Sequence, residues 1–321
     1  MALKLITNKR TLGFKLESTP YTAETLAASD YDISARDISY SPEIESYARK
    51  LAHGDYSMST SISGRRKIEI TYFIDFHPGN TAATAPQFFD ALRACCMELG
   101  SSATGKWLLT AADQDRNPAT IEVVERQEGT SPKQLVIKAR GAMGTARIVS
   151  EQIGQPLKVE FTFTGVLDSI TTREFSSILI PTAFDTKLPP AVLCATITLF
   201  GNTQQISRFA IDLGNEVELF TDPSICAGYE GARVIGRNPT LELDPDMLVT
   251  DDEDILTNQI NNTTGQLSIT IGENIHISAP AVQYTQTYTP GDREGHVTND
   301  VRLELKRNNG DDELEILQGS K

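Results

Sequence analysis

Within residues 67–76 every second side chain is apolar: Ile68, Ile70, Tyr72, Ile74 and Phe76 share one parity, while Lys67, Glu69, Thr71 and Asp75 fall on the other. Successive side chains of an extended chain point to opposite faces, so this period of two predicts a strand with one face buried and one wet. The pattern recurs. Leu157, Val159, Phe161 and Phe163 alternate with Lys158, Glu160, Thr162 and Thr164; Phe209, Ile211 and Leu213 with Arg208, Ala210 and Asp212; Leu267, Ile269 and Ile271 with Gln266, Ser268 and Thr270; Val301, Leu303 and Leu305 with Arg302, Glu304 and Lys306. Such alternation predicts antiparallel sheets that pack one face on a core.

Helical spacing is confined to residues 84–99 and about 250–261. The first stretch opens on Thr84, three residues before Gln87, with Pro86 in the first turn; the second opens on Thr250, followed by Asp251, Asp252 and Glu253. Both read as capping boxes, in which side chains satisfy first-turn amides that have no helical partner. Helices this few cannot supply strand–helix–strand crossovers, so the predicted class is mainly β with two short helices. In each half several strands precede the helix and alternating strands follow it, ending in LKVEFTFTG and in VRLELKRNNG, a pattern of internal duplication. The proline-bearing stretch 180–190 separates the halves, predicting domains 1–185, with a long N-terminal hairpin or arm, and 186–321. Gly141-Ala142-Met143-Gly144 reads as a turn between strands and Asn309-Gly310 as a tight hairpin turn.

A net charge of −14 over 321 residues bears on partners. Gripping nucleic acid by neutralising phosphates needs clustered Lys and Arg, which this balance opposes. An acidic wall instead repels a passing polyanion, and acidity also serves solubility alone. No apolar run reaches the roughly 20 residues of a membrane-crossing helix, and the opening MALKLITNKR lacks a signal-peptide core, so the expectation is a protein made in the cytosol with no membrane partner. Cys95, Cys96, Cys194 and Cys226 lack metal spacing and read as small apolar fillers. His53, His77, His276 and His296 belong to no triad-like or metal motif. Asp244, Asp246, Asp251, Asp252, Glu253 and Asp254 lack the spacing of a calcium loop and suit helix capping better. The expectation is no enzyme, no cofactor and no metal.

An acidic N-terminal segment, a long hairpin, a Gly64-Arg65-Arg66 turn, an apolar strand, a small-residue loop with Ala85-Pro86 and a helix ending LRACCMELG follow one another in this chain. In that order and spacing they resemble the tail tube, or major tail, proteins of siphophages. The resemblance continues through residues 211–217, Gly236-Arg237-Asn238-Pro239 and the closing Asn309-Gly310-Asp311-Asp312-Glu313-Leu314, and so covers most of the chain. It implies tandem tail-tube-type β-sandwich or barrel domains whose strands close an inner β-barrel on oligomerisation, as trimeric, pseudo-sixfold rings stacked into a tube. Implied with it are a place in the virion tail after assembly in the host cytoplasm, and genomic DNA passing through the lumen without specific binding. The implied partners are further copies of the chain and the tape-measure, tail terminator and distal tail proteins.

The hairpin of about residues 45–76 is the expected assembly element, because Tyr47 and Tyr56 with Arg49 and Lys50 on one arm, and Arg65 and Arg66 at the turn, combine aromatic anchors with basic neighbours. Alternation nominates Glu69, Asp75, Glu160, Asp212 and Glu304 as acidic residues lining the lumen. The rival readings are another virion component such as a baseplate or decoration protein, a secretion-system inner tube, a carbohydrate-binding β-sandwich that would use Trp107, and a hydrolase with paired buried carboxylates.

Overall fold

A computed structural model describes residues 4–49, 59–77, 88–101, 105–110, 117–129, 131–179, 188–247, 255–272 and 275–318. The alternating stretches are strands, and the fold is mainly β. The first half holds β1 (Leu5–Leu16), β2 (Arg36–Tyr47), β3 (Ile62–Asp75), a short helix α1 (Phe89–Arg93), β4 (Met97–Ser101), β5 (Lys106–Leu109), β6 (Ala119–Gln127), β7 (Gln134–Ser150) and β8 (Lys158–Arg173). The second holds β9 (Thr196–Leu199), β10 (Asn202–Thr203), β11 (Phe209–Asp212), β12 (Asn215–Thr221), β13 (Tyr229–Arg237), β14 (Thr240–Leu243), α2 (Ile255–Ile260), β15 (Thr264–Ile271), β16 (Ile275–Tyr284), β17 (Thr289–Arg293), β18 (His296–Leu305) and β19 (Glu315–Gln318).

One antiparallel layer runs β2-β3-β8-β7-β11-β14-β18-β16 and so draws on both halves. The facing layer has two parts: β1-β6 joined to the first part of β7, and β10-β9-β15-β16-β19-β5-β4. The apolar parity of each strand packs between the layers into one core. Tyr72 stacks on Phe161 and Phe163 at 5.4 and 5.9 Å between ring centroids, and Phe163 meets Phe14 of the facing layer at 5.5 Å. Each such aromatic pair adds about 0.5–1.5 kcal/mol beyond the area it buries.

Strand succession repeats between the halves. In each, a strand (β1 or β9) pairs with the first arm of a hairpin (β6-β7 or β15-β16), and a longer hairpin (β2-β3, or β11-β12 returning through β13-β14) precedes the helix. Cross-strand partners repeat as well. Asp75 faces Lys158 and Ile74 faces Val159 in the first half, as Glu242 faces Arg302 and Leu241 faces Leu303 in the second.

The stretch expected to be a turn at residues 141–144 lies instead inside β7. There the register against β8 slips between Arg140 and Met143, and Gly141 takes φ +55°. A bulge lets one long strand leave the β6 layer and enter the β11 layer without ending. The β12-β13 hairpin covers this point, burying Met143 with Cys96 and Ala232. Arg140 fastens it by donating to the carbonyls of Tyr21 (2.9 Å), Tyr229 (3.2 Å) and Glu230 (2.7 Å).

The first helix is also shorter than expected. It stops after Arg93, Cys96 takes φ +60°, and Met97 pairs with Leu109 as β4 begins, because sheet pairing buries Met97 and Trp107 where a continued helix would not. The expected caps at Thr84 and Thr250 lie outside the described residues. Cys95 and Cys96 are buried as expected, but Cys194 and Cys226 are exposed and fill no core.

Glu122, buried on β6, accepts from Lys138 (2.9 Å), Arg173 (2.9 Å) and the Tyr31 hydroxyl, which pins the 3-10 turn Ala28–Tyr31 over the sheet. Burial pushes its pKa up, but the hydrogen bonds from Tyr31, Lys138 and Arg173 together outweigh burial and leave it below the ordinary carboxyl value of 4.5.

Two expectations follow from this packing. A folded-state pKa below the unfolded one stabilises above the unfolded value, and that contribution is lost as pH falls through the folded one. Glu122→Gln should therefore cost about 3 kcal/mol or more at pH 7, with the gap to the parent closing below pH 4.5. A gap independent of pH in urea titrations would show that the carboxylate charge is not what stabilises. The Tyr72 hydroxyl is buried with no hydrogen-bond partner among the described residues, so Tyr72→Phe should raise stability by about 1 kcal/mol. A comparable loss in the same assay would contradict this.

Candidate functional site: a polar sheet face and its open edge

The wet parity of the shared layer forms one continuous face. Read from strand to strand as directly opposed partners, one row runs Phe73, Glu160, Arg147, Asp212, Thr240, Glu304 and Gln283, crossing from β3 to β16. The next row runs Asp75, Lys158, Val149, Ala210, Glu242 and Arg302. Glu69 faces Thr164 on the same side. All of the acids nominated from alternation, Glu69, Asp75, Glu160, Asp212 and Glu304, thus lie on one face of one sheet. The pairing of β7 with β11, which no local pattern marks, is what brings them together.

This face carries mixed charge, where the sequence reading expected an acidic one. Lys67 pairs with Glu43 at 3.0 Å, Arg147 with Glu242 at 3.0 Å and Arg208 with Asp300 at 3.3 Å; Arg36 holds Asp75, and Lys306 holds Glu304. Cations and carboxylates alternate along neighbouring strands because opposite charges stabilise a cross-strand pair and like charges oppose it. Of the nominated acids, Asp75, Glu304 and Asp212 are engaged by Arg36, Lys306 and the Gly214 amide, whereas Glu69 and Glu160 enter no hydrogen bond or ion pair among the described residues. Asp212 has a structural task, accepting from the Gly214 amide at 2.8 Å where the chain bends from β11 into β12. Gly214 sits at φ +59°, and a Cβ there would lie 2.1 Å from the Asn238 carbonyl oxygen.

The face is hollowed. A depression of about 610 Å³ lies over β7, β11, β14 and β18, with Arg147, Arg208, Glu242 and Arg302 in its wall and residues 286–289 along one side. Its lining includes the hydroxyls of Ser150, Thr287 and Thr289 and the carboxylates of Glu151, Glu242 and Asp300, and no Cys or His. The buried carboxylates elsewhere are committed to the fold: Glu17 accepts from the Tyr21 and Gly141 amides (2.7 Å each), Glu125 from Arg10 (2.7 Å) and Tyr40 (2.9 Å), and Asp244 from the Ser207 (2.9 Å) and Arg208 (3.0 Å) amides while forming an ion pair with Arg293 at 3.6 Å. Burial pushes the Glu17 carboxyl up despite those amides. Among the described residues no three His, Cys, Asp or Glu cluster as metal ligands, and Asp251, Asp252, Glu253 and Asp254 lie outside them. Trp107, the aromatic a glycan-binding surface would use, is 3% exposed and packs on Phe89.

The nominated assembly residues divide. Tyr47 is 54% exposed at the distal end of β2, beside exposed Ile62, its direct partner, and exposed Ile44. Arg49 is exposed, and Lys50 and Tyr56 lie outside the described residues. Arg65 is occupied within the chain: it binds Glu45 at 2.7 Å and lies over the Tyr229 ring at 5.1 Å. Its guanidinium first, and then the Tyr47 hydroxyl, hold the Glu45 carboxyl down to about 2. Arg66 donates to the Asp168 carbonyl at 3.3 Å. Ile44 and Ile62 were missed, because an isoleucine in an alternating strand reads as core until its neighbours are known.

Among the described residues β2 pairs as a strand only with β3, while Arg10 of β1 donates to its Ile38 carbonyl and the Tyr40 hydroxyl donates to Glu125 of β6. The chain matches no protein-family model, and a search of characterised proteins returns no similar sequence.

Substitutions should separate fold from surface here. Asp212→Ala should lose about 1–2 kcal/mol through its turn contact, whereas Glu160→Ala should stay within about 0.5 kcal/mol of the parent. Equal losses at both positions in chemical denaturation would contradict this assignment.

Proposed function

We propose that this chain is the subunit of a phage-type tail tube, stacking as trimeric rings around a passage for DNA, with tandem units at 1–185 and 186–321. The observation that supports the reading best is the polar face of the shared layer: both halves contribute to it, the nominated acids sit on it, and among the described residues its border strand β2 pairs with another strand on one side only. A long open edge exposes backbone groups that invite pairing, and closure into a barrel removes it.

On this reading the mixed charge has a purpose. DNA binds where unpaired cations release counterions, and Lys67, Arg36, Arg147 and Arg208 are each held by a carboxylate, so they offer phosphates little. Glu69 and Glu160 add repulsion. The apolar tip at Ile44, Tyr47 and Ile62 supplies a contact for the next ring, where burial of each side chain contributes about 1.5–3 kcal/mol.

Negative-stain electron microscopy over a concentration series should show rings or hollow tubes. Single chains under all conditions, with and without a tape-measure protein, would remove the reading. Glu69→Lys with Glu160→Lys should leave tubes intact but make them retain duplex DNA at low salt and release it as salt rises.

A further inference from the structure

The two halves differ at one charge on the polar face. Lys158 of β8 and Arg302 of β18 hold equivalent positions, opposite Asp75 and Glu242, and Ile148 and Tyr284 are equivalent as the partners of Val159 and Leu303. Three residues beyond Ile148 stands Glu151, and three beyond Tyr284 stands Thr287. Glu151 binds Lys158 at 2.9 Å, whereas Thr287 brings no charge and Arg302 enters no hydrogen bond or ion pair among the described residues. We propose that Arg302 is the centre of an anion site that takes one phosphodiester group, supplied by the backbone of DNA passing over the face. The site itself stands on these contacts; DNA as its occupant rests on the tube reading.

Arg302 is exposed in the wall of the 610 Å³ depression, which the exposed hydroxyls of Thr287 and Thr289 also line. The other charges there are matched. Arg147 binds Glu242 at 3.0 Å, Arg208 binds Asp300 at 3.3 Å, and Glu151 is met by Lys158 from outside the depression, so the charge of Arg302 is left over. Glu242 lies directly opposite Arg302 on the neighbouring strand but is drawn to Arg147 instead. One excess cation matches a group with a single negative charge, which a phosphodiester has, whereas a phosphate monoester carries about 1.5 to 2 at neutral pH. A guanidinium can present two N–H donors to two phosphate oxygens, and neighbouring hydroxyls can donate to the same group.

The remaining cations of the face leave this contact isolated. Arg36, Lys67, Arg147, Lys158, Arg208 and Lys306 each sit in an ion pair with a carboxylate. A single phosphate contact per chain is weak and salt-sensitive, and electrostatic contacts of this kind let a protein and DNA slide past one another.

The test is a nuclear magnetic resonance titration of single chains at low salt with a DNA duplex of about 12 base pairs, little more than one helical turn, and separately with inorganic phosphate. The duplex should shift the Arg302 side-chain Nε–H signal and the amides of residues 287–289 saturably, and affinity should fall with salt at a log–log slope of about −0.9, the value for one phosphate. Arg302→Gln should weaken binding roughly tenfold or more. Thr287→Glu gives the second half the acid of the first and should weaken binding as much with the arginine still present, while Glu151→Thr should free Lys158 and add a second site. Thr287 and Glu151 are both exposed, so neither change disturbs the core. Binding that survives both Arg302→Gln and Thr287→Glu, or the absence of saturable shifts with the duplex, would overturn the site. Saturation by inorganic phosphate alone would overturn DNA as its occupant. Tubes formed by a chain that fails these tests would leave the tube reading standing, and chains that bind the duplex as expected yet never assemble would overturn the tube reading and keep the site.

Discussion

A strand has two hydrogen-bonding edges, and β7 uses one of its edges twice. Along one edge it pairs with β8 for most of its length; along the other it pairs with β6 up to Ala142 and with β11 from Arg147 onward. The bulge at Gly141 makes the change of partner possible, since it turns the strand from one layer into the other while the backbone keeps its pairing on the β8 side. The shared core and the continuous polar face both depend on this single strand. So does the site at which β12-β13 docks, over a bulge that would otherwise expose Met143.

Because the halves are fused through sheet pairing, the face they present behaves as one surface. Its charges are set by cross-strand neighbours and not by the overall acidity of the chain. Arg147, Arg36, Lys67 and Arg208 sit among the acids of the face as their partners. A surface of paired charges is well hydrated and presents few isolated cations, which suits a wall past which a polyanion slides. Among the described residues the edge of β2 away from β3 has no strand partner, although Ile38 and Tyr40 pack on the core and Arg10 donates to the Ile38 carbonyl.

Much of the fold was legible because strand burial is a local property. Ile68 to Phe76, Leu157 to Phe163 and Val301 to Leu305 are buried at alternate positions as their parity requires, and the recurrence of charged–apolar–Glu–apolar in Lys158 to Phe161 and Arg302 to Leu305 marks equivalent strands. Parity likewise placed Glu69, Asp75, Glu160, Asp212 and Glu304 on wet faces. Residues 141–144 misled because two glycines in four residues mark a turn and a bulge alike, and only the position of β8 and β11 decides between them. The helix was overextended because Leu92, Cys95 and Leu99 keep helical spacing, although Met97 and Leu99 find stronger partners in β5.

The sequence by itself determined which side of each strand is wet, since alternating polarity acts over a few residues and needs no partner. Which strands became neighbours was decided only by the tertiary structure, since pairing joins segments tens to more than a hundred residues apart and depends on edges that no local pattern distinguishes. That decision put Arg147 beside Asp212 and Thr240 beside Glu304, turned separate wet faces into one, and left β2 with one strand partner among the described residues.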